Sequence, residues 1–146
     1  MKPDYFDMIQ NCTFSQIGHA ADLVWVLVGT FSIHISSTIG IYLNDIFIAS
    51  SEDLFRDYEG RQMEFVSKST LFDKKVAFLN DHSCNYQVKG ILIDKDNMLQ
   101  IYFSHGLIIQ SLPQKCNVED DEIWRIFIKK SEFPHMVGYS KTIKWE

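Results

Sequence analysis

Five histidines, three cysteines and nineteen carboxylates are the side chains of this chain best equipped to do chemistry. His34, His105 and His135 each stand in or beside an alternating apolar segment. Two imidazoles held together beside a lysine would supply the acid and the base that cleave RNA, because imidazole titrates near neutrality. Their spacing does not require them to meet: His34 reads as a sheet-face residue, His105 as a turn residue and His135 as a strand-edge residue. Ser50-Ser51 and Ser36-Ser37-Thr38 offer hydroxyls without the G-x-S-x-G elbow or the adjacent base that would activate one. The scattered glycines form neither a phosphate loop nor a dinucleotide fingerprint.

A metal site needs clustered ligands, and His19 stands apart while His82-Ser83-Cys84 is a two-ligand fragment. Asp94-Lys95-Asp96-Asn97 begins like a calcium loop, but a strand-like Met98-Leu99-Gln100-Ile101 follows and no glutamate stands at the closing position. It reads as a hairpin turn. Cys12, Cys84 and Cys116 make no C-x-x-C pair and no disulfide framework, so each is expected to be an unpaired, partly buried small apolar residue in a reducing compartment. The expectation is a protein without catalytic residues, metal or cofactor.

The carboxylates are different in kind. Glu119-Asp120-Asp121-Glu122 places four like charges in succession, which is tolerated where solvent or a cationic partner compensates them. A second concentration runs from Asp45 through Glu52, Asp53, Asp57 and Glu59 to Glu64, against Arg56 and Arg61. Each reads either as a solvated loop or as part of an acidic docking surface, with Phe55, Tyr58 or Tyr42 as an aromatic anchor. Next to the first cluster, period two puts Trp124, Ile126 and Ile128 on one strand face and Arg125 and Phe127 on the other. Trp124 is expected in the core, with Arg125 either paired to a nearby acid or presented for contact.

The elements that position these residues are mostly strands. Residues 22–30, dense in Leu, Val and Trp, are expected to form a strand buried on both faces, with Gly29 at its end. Residues 17–21 fit either a short helical turn or a loop. Phe31, Ile33 and Ile35 alternate with polar residues, Ile39, Ile41 and Leu43 resume the pattern, and 46–49 follow the Asn44-Asp45 turn, which suggests an antiparallel meander. Residues 50–64 read as an exposed, irregular connection. The spacing predicts a helix over 69–81, with Phe72, Val76 and Leu79 on one face and Ser69 or Thr70 as its cap. Three more strands, 87–94, 99–104 and 107–112, are separated by turns at 94–97 and 104–106. Residues 123–128 continue the sheet, Pro134 interrupts it, and 135–139 can supply a last strand.

With 146 residues, 46% of them hydrophobic, the chain can close one core. The fold expected is a single domain, residues 1–146, of the α+β class: a mainly antiparallel, twisted β-sheet with one short amphipathic helix packed on it. A net charge of -5 offers no footprint for nucleic acid but would attract a basic protein. No apolar run reaches the roughly 20 residues that span a bilayer, and the acidic N-terminal stretch lacks the apolar region of a secretory signal, so a cytoplasmic protein is expected.

The C-terminal third resembles a family of small, largely uncharacterised bacterial proteins. The residues that carry the resemblance are Leu99 to Leu107 with the Ser104-His105-Gly106 hairpin, Leu112-Pro113, Glu122-Ile123-Trp124-Arg125-Ile126-Phe127 and His135-Met136-Val137. Ile33-His34-Ile35 and Ser50-Ser51-Glu52-Asp53-Leu54-Phe55 fit it further upstream. Where many relatives carry an aromatic-arginine pair, Ser37-Thr38-Ile39-Gly40 stands here, so a ligand role for that arginine does not carry over. In kind the chain is similar to the immunity proteins that accompany polymorphic and contact-dependent bacterial toxins. That similarity implies a non-enzymatic protein that binds and neutralises a cognate toxin domain of basic character, such as a nuclease. Glu52, Asp53, Asp57, Glu59, Glu119, Asp120, Asp121 and Glu122, with Phe55 and Tyr58, are the residues expected to meet that partner. The alternatives are a small hydrolase or nuclease using His34, His105 or His135, and a small-molecule-binding or oligomerisation module.

Overall fold

Short strands with one apolar face cannot stand alone, and here they are laid into two antiparallel sheets that share one interior. The computed structural model describes residues 4–112 and 121–146. In the first sheet, β1 (Phe14–Ala20), β2 (Leu23–Val28), β3 (Phe31–Ile35), β9 (Glu122–Ile128), β10 (Met136–Tyr139) and β11 (Ile143–Trp145) lie side by side in that order. The second has the order β5 (Ile46–Ser50), β4 (Ile39–Leu43), β8 (Leu107–Ser111), β7 (Leu99–Phe103) and β6 (Val88–Ile93). Helix α1 (Tyr5–Ile9) precedes them and α2 (Leu71–Asp81) lies between β5 and β6 in the chain.

Register decides which side chains enter the interior. Ile17, Val26, Ile33 and Ile126 are partners across four strands of the first sheet, and all four are buried. Ile41, Ile109 and Ile101 form the matching row of the second. Phe14 meets Phe103 across the gap with ring centroids 5.6 Å apart. Burying one such aliphatic side chain stabilises the fold by about 1.5–3 kcal/mol, so these rows are a major part of what holds the sheets together. Trp124 is fully buried, as its strand phase requires, and its Nε1 donates to the Asn97 carbonyl at 2.8 Å. A Cβ at Gly138, the Trp124 partner on β10, would run into the indole, so only glycine leaves room there.

The turns follow their chemistry. Asn44 and Asp45 both adopt positive φ, 51° and 66°, between β4 and β5, the conformation that a two-residue hairpin needs and that these residue types tolerate. Helix α2 begins at a reciprocal cap: Asp73 N donates to Thr70 Oγ1 at 3.4 Å and Thr70 N to Asp73 Oδ2 at 2.8 Å. Phe72, Val76 and Leu79 are its buried face, and it packs against β1 of one sheet and β5 of the other. Asn80 of α2 accepts from Ile17 N at 2.8 Å and donates to Ile17 O at 3.0 Å, so a side-chain amide stands where a neighbouring strand would on the β1 edge.

Four local expectations change. Residues 17–21 are neither helix nor loop, since 17–20 continue β1 and Ala21 turns with φ of 52°. Strand β2 is not buried on both faces: Val24, Val26 and Val28 are buried while Leu23, Trp25 and Leu27 are half-buried, because no layer among the described residues covers their side of the sheet. The suggested meander breaks after β3, where Ser36-Ser37-Thr38 carries the chain into the other sheet. Period two is the same whichever sheet a strand joins, which is why alternation could not reveal that crossing. Cys84 is exposed, not partly buried, whereas Cys12 is half-buried.

Candidate functional site

The segment expected to be an irregular connection is ordered by its own polar groups. It opens with a 3₁₀ turn, Ser51–Phe55, in which Asp53 folds inward: one carboxylate oxygen accepts from Ser50 N at 3.0 Å and the other pairs with Lys75 Nζ of α2 at 3.0 Å. Asp57 then ties a tight excursion, accepting from Glu59 N at 2.9 Å, Arg61 N at 3.0 Å and Arg61 Nε at 2.8 Å. The hydrogen bond from the Arg61 amide leads the causes that hold the Asp57 carboxyl below its ordinary range. Arg56 Nη1 donates to Gly60 O at 2.9 Å, Met63 N to Phe55 O at 2.7 Å, and Lys74 Nζ of α2 to Tyr58 O at 3.1 Å. The backbone is thereby pinned at both ends and at its tip.

What this scaffold presents is aromatic and acidic. Phe55 is 38% exposed, Tyr58 47% and Phe65 79%. Glu52, Glu59 and Glu64 are exposed beside them, and Glu52 and Phe55 line a depression with Arg56 and Gln62. Phe65 is the most exposed of the three, and three large apolar side chains left partly in water within a short stretch would gain by burial against a partner. Phe65 was not among the residues singled out from sequence. Its signal is present as an aromatic in the mixed stretch Met63-Glu64-Phe65-Val66-Ser67-Lys68, where no period assigns it to a core.

A second constellation occupies the outer face of the six-stranded sheet. His34 is the register partner of Arg125, and Phe127 stands beside both. The Phe127 ring lies edge-on to His34 at 4.9 Å and stacks on His135 at 4.4 Å, so the fold does bring two of the three candidate histidines to one ring. His105 is elsewhere, in the turn between β7 and β8 with φ of 60°. Arg125 donates to Glu122 through Nη2 at 2.8 Å and Nε at 3.3 Å, and through Nη1 to His135 Nδ1 at 2.8 Å. A guanidinium cannot accept, so Nδ1 of His135 presents its lone pair and the ring is the neutral Nε2–H tautomer. Burial first, and then the Arg125 charge, hold His135 below its ordinary range, and burial does the same for His34. Tyr139 OH donates to Glu146, and this bond is the main cause of its raised pKa. Arg125 is thus occupied by Glu122 and His135, which suits a strand-to-strand fastening and leaves its fork engaged before any anionic ligand arrives.

The expected partner-binding residues fall into distinct environments. Glu52, Glu59, Phe55 and Tyr58 are on the exposed loop, Glu59 with Arg61 Nη2 at 3.1 Å, whereas Asp53 is buried and ion-paired and Asp57 is engaged by its own turn. Glu119 and Asp120, like Cys116, lie outside the described residues. Asp121 is exposed and Glu122 is neutralised by Arg125. The crossing is held from both sides: Ser36 N donates to Ile123 O at 2.8 Å, next to Glu122, and Ile39 N donates to Ser51 Oγ at 2.8 Å, next to Glu52. Tyr42 is on the outer face of the five-stranded sheet, edge-on to Phe47 at 5.6 Å, and takes no part in the loop. Among the described residues, no group of three or more His, Cys, Asp or Glu is close enough to hold a metal ion, and no helix is long and apolar enough to cross a membrane. Comparison with protein-family models, with curated proteins and with solved structures gives no match.

Proposed function

We propose that the chain is a non-enzymatic immunity-type protein of the bacterial cytoplasm that binds and neutralises a basic toxin domain, such as a nuclease. The observation that carries this reading is the pinned loop with Phe55 and Tyr58 exposed beside Glu52 and Glu59, followed in the chain by the exposed Glu64 and Phe65. Aromatic anchors supply most of the energy of a protein interface, and a loop already ordered loses little entropy when it docks. The surrounding carboxylates and the net charge of -5 would steer a basic partner onto it.

The test is co-expression with the toxin-like product of the adjacent gene. A stable complex and protection from growth arrest are expected; the Phe65→Ala and Tyr58→Ala variants should each weaken the complex tenfold or more, roughly 1.4 kcal/mol or above. Glu59→Gln should slow association and reduce its dependence on salt, leaving the dissociation rate nearly unchanged. Absence of both complex and protection overturns the reading. A ribonuclease alternative has one observation in its favour, the approach of His34 and His135 to Phe127. It requires measurable RNA turnover that His34→Ala and His135→Ala abolish.

A further inference from the structure

Where the chain passes from one sheet to the other it leaves a depression of about 100 Å³ beside Phe55. The turn between β1 and β2 contributes Asp22 to its lining, the Ser36-Ser37-Thr38 crossing contributes three hydroxyls, and the 3₁₀ turn contributes a fourth from Ser51. Leu54 and Phe55 are its apolar part. Ser37 is only 6% exposed, and its hydroxyl makes one contact among the described residues, to the Thr38 carbonyl at 3.5 Å. That is longer than the roughly 2.5–3.0 Å of a well-made hydroxyl bond, so a buried oxygen in the lining keeps its lone pairs unused. Ser51 Oγ accepts from Ile39 N at 2.8 Å, which fixes it at the edge of the crossing. The Asp22 side chain is exposed and has no hydrogen bond or ion pair among the described residues. Asp53, Asp57, Glu59 and Glu122, by contrast, each have a basic partner within the chain.

The geometry points to this depression as the seat of an arginine side chain presented by the partner, an inference that rests on the reading of that partner as a basic protein. Size, donor count and charge select the occupant together. Small-molecule sites run to roughly 300–1,000 Å³, so this one suits the head of a single side chain and not a metabolite. A guanidinium carries five N–H donors and no acceptor, which matches a lining whose hydroxyls and carboxylate can all accept. Its planar cation packs well on an aromatic ring, so Phe55 supplies a covering surface while Asp22 supplies the counter-charge. Among the described residues no lysine, arginine or histidine lines this depression, whereas the neighbouring one that also touches Phe55 holds Arg56 beside Glu52 and would repel a cation. The seat adjoins the pinned loop, so an arginine entering it would be held next to the exposed aromatic side chains.

The experiment is a titration of the isotope-labelled full chain with N-acetyl-arginine amide, followed by amide NMR, with the citrulline and lysine analogues as controls. Saturable shifts confined to Asp22, residues 36–38, Ser51 and Phe55 are expected for the arginine probe, and none for the uncharged citrulline analogue. Asp22→Asn should weaken the probe at least tenfold. Asparagine suits the same turn, so this variant keeps its thermal midpoint. Glu52→Gln should leave the probe unaffected. Absence of saturable shifts overturns the inference, as do shifts spread over the acidic surface, binding that Asp22→Asn leaves intact or Glu52→Gln removes, and a lysine analogue that binds as tightly. With the toxin itself, a complex that Asp22→Asn fails to weaken overturns the arginine seat and leaves the toxin reading in place. Probe binding without any toxin complex does the reverse.

Discussion

Arg125, His135 and His34 show how position on a sheet sets the behaviour of a titratable group. Both histidines are held below their ordinary value, chiefly by burial, with Arg125 adding to the effect and Glu122 opposing it. The unfolded chain therefore binds protons at these sites more readily than the folded one. Their contribution to stability is intact above the free histidine value, about 6.5, and is lost as pH falls from there through the folded values. The urea midpoint should drop between about pH 7.5 and pH 5, and His34→Gln with His135→Gln should flatten that drop. In proton NMR, Arg125→Gln should move the His135 titration midpoint upward, and a midpoint that stays in place would show that the guanidinium does not hold it. The residue types of this cluster were readable, but its assembly was not. His34 and His135 are about a hundred positions apart in the chain, and they meet because β9 lies beside β3 and β10 lies beside β9.

At the scale of elements, α2 was the most legible piece. Its Phe72, Val76, Leu79 stripe and its Thr70 cap follow from local chemistry, and both stand as expected. Not visible in the periodicity was the task of its polar face. Asn80 satisfies both backbone groups of Ile17 on the edge strand β1. Asp73 receives His19 Nε2 at 2.9 Å besides its cap bonds. Replacing Asn80 with leucine keeps the volume but strands a peptide N–H and C=O, a loss of about 1–3 kcal/mol in urea denaturation. Thr70→Ala, which removes a cap alone, should lose about 1 kcal/mol. If Asn80→Leu were neutral, the edge would be closed by the apolar face of α2 alone. The loop after β5 is the exposed connection expected, but the polar groups that hold it in place leave no pattern in the sequence for a related reason. Its order comes from Asp57 and Arg56 binding backbone groups nearby, with the Arg61 guanidinium on the Asp57 carboxylate, which leaves no hydrophobic period to detect.

For the molecule as a whole, the two sheets are tied by more than a shared core. Trp124 of one sheet bonds Asn97 in the β6–β7 turn of the other, and Asn97 Nδ2 donates to Tyr139 O at 2.9 Å. Helix α2 touches an edge strand of each. Unfolding should accordingly be a single transition. All three tryptophans, Trp25, Trp124 and Trp145, belong to the six-stranded sheet, so their fluorescence reports that sheet while far-ultraviolet dichroism reports both. Coincident curves are expected, and separate midpoints would mean that the sheets melt independently. By itself the sequence determined what depends on neighbours in the chain: strand phase, the Asn44-Asp45 turn, the cap of α2, the burial of Trp124 and the α+β class. Only the tertiary structure decided which strands became partners, where the chain changes sheet, that His34 and His135 share a ring, that Asp53 turns inward, and that Phe65 faces water. A strand's period specifies which side of it is apolar. The identity of what covers that side is set by contacts between residues far apart in the chain, which no local pattern encodes.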